Sequence, residues 1–306
     1  MNTFWHYSYL IIDIYIDSTI AITMNIPSSL AGKTYLITGS TDGIGLHTAH
    51  KLWALGAHVI IHGRNQSRLD KAKNSIMDQK ANCPQPGQIH SIQADFACLA
   101  DVRRMSEEVK EILQAQKLTA LINNAGVYSS TKHLTRDGHE LTWQTNVLAH
   151  YVLTALLLPL VSDRIINVAS LSSSHSIDFD NLEQENRAEY SGHSAYSNSK
   201  LCNIMFNQEL HERIQAKSAA ARPILVNCLD PGTVNTKMLL DGWGPIGIRV
   251  QDANNEFALA VSDTFEGTSG KYFVGLREYS VPAPARDPDA RKKLFHILEE
   301  QSGLKI

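Results

Sequence analysis

Between Lys33 and Gly45 an apolar run, Tyr35, Leu36 and Ile37, stops at Thr38 and Gly39. A helical pattern through Leu46, Ala49, Leu52 and Trp53 follows. Strand, glycine turn and helix are thus packed into about one supersecondary unit. Glycine lets the backbone turn sharply and approach a pyrophosphate, while the following helix offers free N–H groups and a positive dipole end. The spacing, Gly39-x-x-x-Gly43-x-Gly45, departs from the G-x-G-x-x-G fingerprint. A lone glycine turn also arises for steric reasons, so the rest of the chain must decide its meaning.

The unit recurs. Strand patterns at residues 58–62, 88–92 and 224–228 alternate with helical patterns at 66–80, 99–116 and 195–219, and residues 272–274 read as the last strand. Such alternation predicts parallel strands joined by helical crossovers, a doubly wound sheet with helices on both faces. Asp287 followed by Pro288 predicts the start of the final helix, a side-chain cap with proline at the first helical position. Two further strands end in small polar groups, at Asn123-Asn124-Ala125-Gly126 and at Asn167-Val168-Ala169-Ser170. In an open parallel sheet the carboxyl ends of the strands are where ligands bind.

Composition narrows the class. A chain of 306 residues with 43% hydrophobic and 19% charged residues suits one large domain, and a net charge of −3 provides no basic face for nucleic acid. Cys83, Cys98, Cys202 and Cys228 are scattered without a C-x-x-C pair, so no metal site or disulfide framework is expected, and reduced thiols in the cytoplasm are the default. The apolar stretch from Leu10 to Ile22 is interrupted by Asp13 and Asp17 and is short of the roughly 20 residues a membrane span needs. No span is expected there, although peripheral membrane association stays open. Residues 1–29 are read as an N-terminal extension and residues 30–306 as the domain, with the domain's own sequence approached from about Met24.

The chemistry is carried by Tyr196 and Lys200, four residues apart on one face of a helix. Tyrosine, with a pKa of about 10, is a poor proton donor or acceptor at neutral pH unless a fixed charge stabilises its phenolate. An ammonium about 4 Å away at an effective dielectric of about 20 is worth roughly 4 kcal/mol, or about three pKa units. Lys200 is therefore expected to bring Tyr196 towards neutrality.

Taken together, Thr38-Gly39-x-x-x-Gly43-Ile44-Gly45, Asp95, Asn123-Asn124-Ala125-Gly126, Asn146, Ser170, Tyr196-x-x-x-Lys200 and Pro231-Gly232-x-Val234-x-Thr236 stand in the order of the short-chain dehydrogenase/reductase family, which this chain resembles over residues 30–300. Ser197 to Asn203 and Gly270 to Phe273 are similar to the branch of retinol dehydrogenases and the WW-domain-containing oxidoreductase. The resemblance implies a Rossmann-type fold and hydride transfer between a nicotinamide and an alcohol or carbonyl carbon. It assigns the acid/base role to Tyr196, the carbonyl oxygen to Ser170, and the tuning of Tyr196 with binding of the nicotinamide ribose to Lys200. Asn146 would join Lys200 to a water chain. The cofactor set it implies is Gly39, Ser40, Asp42, Gly43, Ile44, Gly45, Arg64, Asn65, Asp95, Phe96, Asn124, Ala125, Gly126, Tyr196, Lys200, Pro231, Gly232, Val234 and Thr236.

At the end of the second strand an acidic residue would bind the ribose hydroxyls of NAD; here Gly63 stands there and Arg64 follows, with a fork that suits a 2′-phosphate. NADP(H) is the expected cofactor, with NAD(H) open and Asp42 a contrary sign. The polar stretch 172–192 and the loop 237–250 are expected to shape the substrate pocket, with Trp243 between Gly242 and Gly244 as an apolar contact on a lid. A lipophilic alcohol or carbonyl compound is the expected substrate. His175 and His193 are read as ordinary loop residues. A homo-oligomer through the helical stretches 141–158 and 195–219 is open, as are a non-catalytic NAD(P)-binding regulator and a scaffold.

Overall fold

The computed structural model describes residues 24–78, 86–185, 189–217 and 223–306. Its first half builds three strands and their crossovers, β1 (Thr34–Ile37), α1 (Gly43–Ala54), β2 (His58–Gly63), α2 (Gln66–Met77), β3 (Ile89–Gln93) and α3 (Leu99–Leu113). Then come β4 (Leu118–Asn123), a helical segment α4 formed by Leu141–Trp143, Gln144–Leu148 and Ala149–Leu157, β5 (Val161–Val168), α5 (Gly192–Lys217) and β6 (Leu225–Asp230). The chain closes with α6 (Lys237–Gly242), α7 (Asn255–Val261), β7 (Tyr272–Val274), β8 (Arg277–Tyr279), α8 (Ala283–Arg286) and α9 (Pro288–Ser302).

The sheet order is β3-β2-β1-β4-β5-β6-β7-β8. Every pairing is parallel except β7 with β8. The chain winds outward from β1 to β3, then returns to the other side of β1 with β4. Strand order therefore reverses between β1 and β4, and the crevice above their carboxyl ends is where such a sheet binds a ligand.

Both faces of the sheet are covered, which explains the unbroken apolar runs of the strands. Leu36, Ile60, Leu121, Ile165 and Val226 face one core with Met105, Tyr151, Met205, Leu210 and Phe295. Tyr35, Ile37, Val59, Ile61 and Ile122 face the other with Leu52, Leu69, Phe257 and Leu259. Alternate residues of one strand thus serve opposite cores, the two-residue period of a pleated strand.

Several element ends differ from expectation. The expected helix 99–116 stops at Leu113 because Gln114 turns to φ 52°. The helix expected from residue 195 starts at Gly192, and the strand expected to end at 228 runs on to Asp230. Residues 79–80 and 218–219, included in two expected helices, lie outside the described residues, as do Cys83 and residues 1–23. Residues 272–274 are not the last strand: β8 follows through a turn with Gly275 at φ 56° and Leu276 at φ 65°. All three β8 residues are exposed, so no apolar alternation marks it. Asp287 does cap α9, accepting from the Asp289 amide, with Pro288 at the first position.

Residues 24–29 pack on the domain. The Asn25 amide donates to Thr264 Oγ1 at 3.1 Å, its carbonyl accepts from the Asp263 amide at 3.0 Å, and Met24 and Ile26 lie against the core.

Candidate active site

At the point where strand order reverses, Thr38 joins the two strand ends. Its buried hydroxyl oxygen accepts from the amides of Asn124 and Ala125, both at 2.9 Å, and Asn124 Nδ2 donates back to the Thr38 carbonyl at 2.7 Å. The glycine turn lies hard against this junction. A Cβ on Gly39 would stand 2.8 Å from Ala125 Cα, and one on Gly45 would stand 2.5 Å from Asn124 Nδ2. Those two glycines are needed for close approach. Asp42 caps α1 by accepting from the Gly43 amide at 2.9 Å.

A cleft of about 510 Å³ runs from this turn across the carboxyl ends of the strands. Of the residues expected at a cofactor site, Gly39, Asp42, Gly43, Ile44, Gly45, Arg64, Asp95, Phe96, Asn124, Ala125, Gly126, Tyr196, Lys200, Pro231, Gly232, Val234 and Thr236 line it. Ser40 and Asn65 do not. Ser40 is fully buried, its hydroxyl donating to the Ile37 carbonyl at 2.8 Å and accepting from the His62 amide at 2.9 Å. Asn65 caps α2, accepting from the Arg68 amide at 3.0 Å. Both are correct residue types for the turn and the helix start, but their side chains serve the backbone.

At one end of the cleft, His62, Gly63, Arg64, Arg68, Ala94, Asp95 and Phe96 form the wall. His62, missed in the sequence, stacks on Phe96 with ring centroids 4.4 Å apart. Asp42, the contrary sign for NADP, is held by two cations, Lys237 at 2.7 Å and Arg68 at 3.0 Å.

The other end of the cleft holds two hydroxyls and an ammonium. Tyr196, Ser170 and Lys200 all line the cleft, with the Ser170 hydroxyl close enough to act on the Tyr196 phenol. Lys200 lies on the ring side, its Nζ 5.5 Å from the Tyr196 ring centroid and donating to the Val168 carbonyl at 3.0 Å. Burial lowers Lys200 to about 8, with Cys228 and Asp230 pulling the other way. The expectation that Lys200 brings Tyr196 towards neutrality is corrected here. Burial raises the phenol above its ordinary value, the Asp230 charge adds to the rise, and the neighbouring Ser170 hydroxyl pulls the other way.

Asn146 does not line the cleft but lies just beneath it. Its Oδ1 accepts from the Val127 amide at 2.8 Å, and its Nδ2 donates to the Val127 carbonyl and to Ser199 Oγ, both at 3.0 Å. It sits in the stretch Gln144–Leu148, a π-helical turn in which the Ala149 amide reaches back to the Gln144 carbonyl. Such turns frequently mark functional sites. The Asn146 carbonyl is taken by His150 Nδ1–H at 3.1 Å, so the neutral ring presents Nε2 as an acceptor to the Thr38 hydroxyl at 3.2 Å. Burial pulls His150 down to about 3, with Lys200 adding to the fall, which keeps it neutral.

Trp243 faces Tyr196 edge-on with ring centroids 5.4 Å apart, and Tyr128 lies 5.1 Å from Trp243. His193, read as an ordinary loop residue, is in the first turn of α5 and packs 5.2 Å from Trp243 and 5.3 Å from Tyr128. Met238, Leu239 and Ile246 complete this apolar wall, and among the described residues of the stretch 172–192 only Ser172 reaches the cleft.

The residues fit a nicotinamide dinucleotide: a glycine turn pressed to the sheet, a cleft spanning the strand ends, and the side chains of Ser170, Tyr196 and Lys200 at its far end. Among the described residues no cluster of His, Cys, Asp or Glu has the arrangement of a metal site, and no helix is long and apolar enough to cross a membrane.

The short chain dehydrogenase family model matches residues 33–242. Human retinol dehydrogenase 14 is 34% identical, with 91% of this chain and 88% of that protein covered. Human polyprenol dehydrogenase is 32% identical, covering 80% of this chain and 78% of that one. The zebrafish WW domain-containing oxidoreductase is 31% identical over 88% of this chain and 68% of its own length. A crystal structure of a short chain dehydrogenase from Burkholderia cenocepacia in complex with NADP superposes with a TM-score of 0.62 at 25% identity, covering 80% of this chain and 96% of that one. With its sheet order, its cleft and these relatives in agreement, the chain belongs to the short-chain dehydrogenase family, as an oxidoreductase that interconverts CH–OH and C=O with a nicotinamide cofactor.

Proposed function

We propose that the protein interconverts a lipophilic alcohol and its carbonyl compound with NADP(H), using Tyr196 as the proton donor and acceptor. The observation that carries this reading is the hydroxyl pair of Tyr196 and Ser170, set at the end of the cleft beneath the rings of Tyr128 and Trp243. When bound, the nicotinamide supplies or takes the hydride at the substrate carbon. In reduction, the Tyr196 hydroxyl gives its proton to the substrate oxygen as negative charge develops there, and the Ser170 hydroxyl donates a second hydrogen bond to that oxygen. Lys200, on the ring side of Tyr196 and on the cleft wall, would hold the nicotinamide ribose. Oxidation runs through the same groups in reverse. The apolar wall suits an apolar substrate and excludes water from the transfer.

The preference for NADP(H) rests on Gly63 in place of an acidic side chain, with Arg64 and Arg68 on the cleft beside it. Arg68 and Lys237 already neutralise Asp42, which leaves the Arg64 guanidinium to face a 2′-phosphate. The test is NADPH consumption over retinal, steroid ketones, quinones and aliphatic and aromatic aldehydes, with Tyr196→Phe as the blank. Turnover that vanishes in the variant while NADPH binding persists is the expected result. Turnover retained by Tyr196→Phe would refute the assignment.

A further inference from the structure

The glycine turn and the loop that carries Trp243 meet across the cleft. Asp42 Oδ2 accepts from Lys237 Nζ at 2.7 Å and from Arg68 Nη2 at 3.0 Å, while its Oδ1 stays on the Gly43 amide at 2.9 Å. Beside this pair, a Cβ on Gly43 would stand 3.1 Å from the Thr236 methyl carbon, so the start of α6 is seated on the turn. Asp42 and Gly43 line the cleft from one side, and Thr236 and Lys237 line it from the other. The contact therefore bridges the cleft beside the amino end of α1, the part of the turn suited to a pyrophosphate.

The loop behind Lys237 is closed at its base. The Asn235 side chain clasps Gly247, Oδ1 accepting from its amide at 2.8 Å and Nδ2 donating to its carbonyl at 2.7 Å. The Asn235 amide donates to the Ile248 carbonyl at 2.9 Å, and the Ile248 amide to the Thr233 carbonyl at 2.8 Å. A Cβ on Gly247 would come within 2.5 Å of the Thr233 carbonyl oxygen, so nothing larger than glycine fits there. Residues 236–246 thus form one body on a fixed base. Its far end, Trp243, rests on Tyr128 and Tyr196, and its side towards the glycine turn is held by Lys237.

Resting on the reading of the cleft as a dinucleotide site, we propose that Lys237 and Asp42 form a latch that holds the lid 236–246 across the cleft and sets how fast the cofactor enters and leaves. The dinucleotide meets this latch in both directions, so it slows entry and release alike and changes affinity little. A plain phosphate contact has another signature. Removing a cation from beside a polyanion slows its entry and speeds its release, and removing an anion does the reverse.

Stopped-flow NADPH fluorescence reads both rates, entry from its concentration dependence and release from displacement by excess NADP⁺. Asp42→Asn keeps an acceptor for the Gly43 amide and drops the charge, and Lys237→Met keeps the length of the side chain. Each is expected to raise both rates about two- to fivefold, the size of an exposed ion pair, with Kd held within about twofold. The double variant should be no faster than the faster single one, because either change alone opens the latch. Slower entry in Lys237→Met, slower release in Asp42→Asn, additive effects or unchanged rates would each overturn the latch. A measurement on the protein alone separates this result from the cofactor reading. Acrylamide quenching of Trp243, with the signal of the same protein carrying Trp243→Phe subtracted, should rise in both variants. Equal quenching in the variants and the parent would overturn the latch whether or not NADPH binds. Near-UV circular dichroism checks the fold, and Lys237→Gln takes the place of the Met variant if that one does not fold.

Discussion

His62 holds Gly39: the imidazole Nδ1 accepts the Gly39 amide proton at 3.1 Å while Nε2–H donates to the Ala94 carbonyl at 3.0 Å. Only the neutral ring can do both, because imidazolium has no acceptor. Burial pulls His62 down to about 4, against smaller upward pulls from Ala94 and Asp95. The unfolded chain takes up this proton near pH 6.5 and the folded one near 4, so the stabilisation is complete above 6.5 and is lost as pH falls towards 4. The loss amounts to about 3 kcal/mol. Urea unfolding at pH 7, 5.5 and 4.5 should show a falling midpoint, and His62→Gln should flatten that fall while weakening NADPH binding about five- to tenfold.

Glu256 titrates in the opposite sense. It is fully buried between α7 and α1, and among the described residues neither of its carboxyl oxygens has a hydrogen-bond partner. Burial pushes its carboxyl up to about 7, with the neighbouring Thr48 hydroxyl pulling the other way. Here the folded state binds the proton more tightly, so stability falls as pH rises from 4.5 to about 7, by about 3 kcal/mol in total. Glu256→Gln should remove this dependence, melting higher than the parent at pH 8 and close to it at pH 5.

Arg64→Leu tests the cofactor preference. A charge-assisted bond to a 2′-phosphate is worth about 1.5–3 kcal/mol, so NADPH affinity should drop about ten- to a hundredfold. NADH affinity, measured by the same fluorescence titration, should change less than twofold. Equal losses for the two cofactors would remove the argument.

Trp243→Ala tests the apolar wall. The edge-on contact with Tyr196 at 5.4 Å and the contact with Tyr128 disappear together. For whichever panel compound is turned over, KM should rise about tenfold, and NADPH affinity should hold within twofold. A rise in the cofactor Kd equal to the rise in KM would place Trp243 in the cofactor site instead.

The parts of this molecule that local spacing can encode were legible in its sequence. The turn at Gly39, Gly43 and Gly45, the pair Tyr196 and Lys200, and the cap at Asp287 each span a few residues, and the doubly wound, largely parallel sheet follows from alternation. Groups brought together from distant strands were not legible. His62 matters because Gly39 and Ala94 come to it from two other strand ends, and Asp230 because Leu171 and Gly232 converge on it. Ser40 and Asn65 occupy positions where a side chain either faces the ligand or turns back to the chain, and residue type does not distinguish the two. Lys200 has the right spacing, yet its ammonium settles against a carbonyl, and burial then governs Tyr196.

The wide turn at Gln144–Leu148 has a consequence for how α4 tolerates length changes. A π turn holds one residue more than an α turn, so deleting a single residue there would restore a regular helix without breaking it. Each residue of an α-helix advances the chain by about 100°. The π turn spends its extra residue on the same full turn, so the deletion would keep Thr142 and Trp143 in phase with His150 but remove the offset that leaves the Asn146 carbonyl to an imidazole. The helix would survive such an edit with its length almost intact, but the link from Thr38 through His150 to the floor of the active site would be severed.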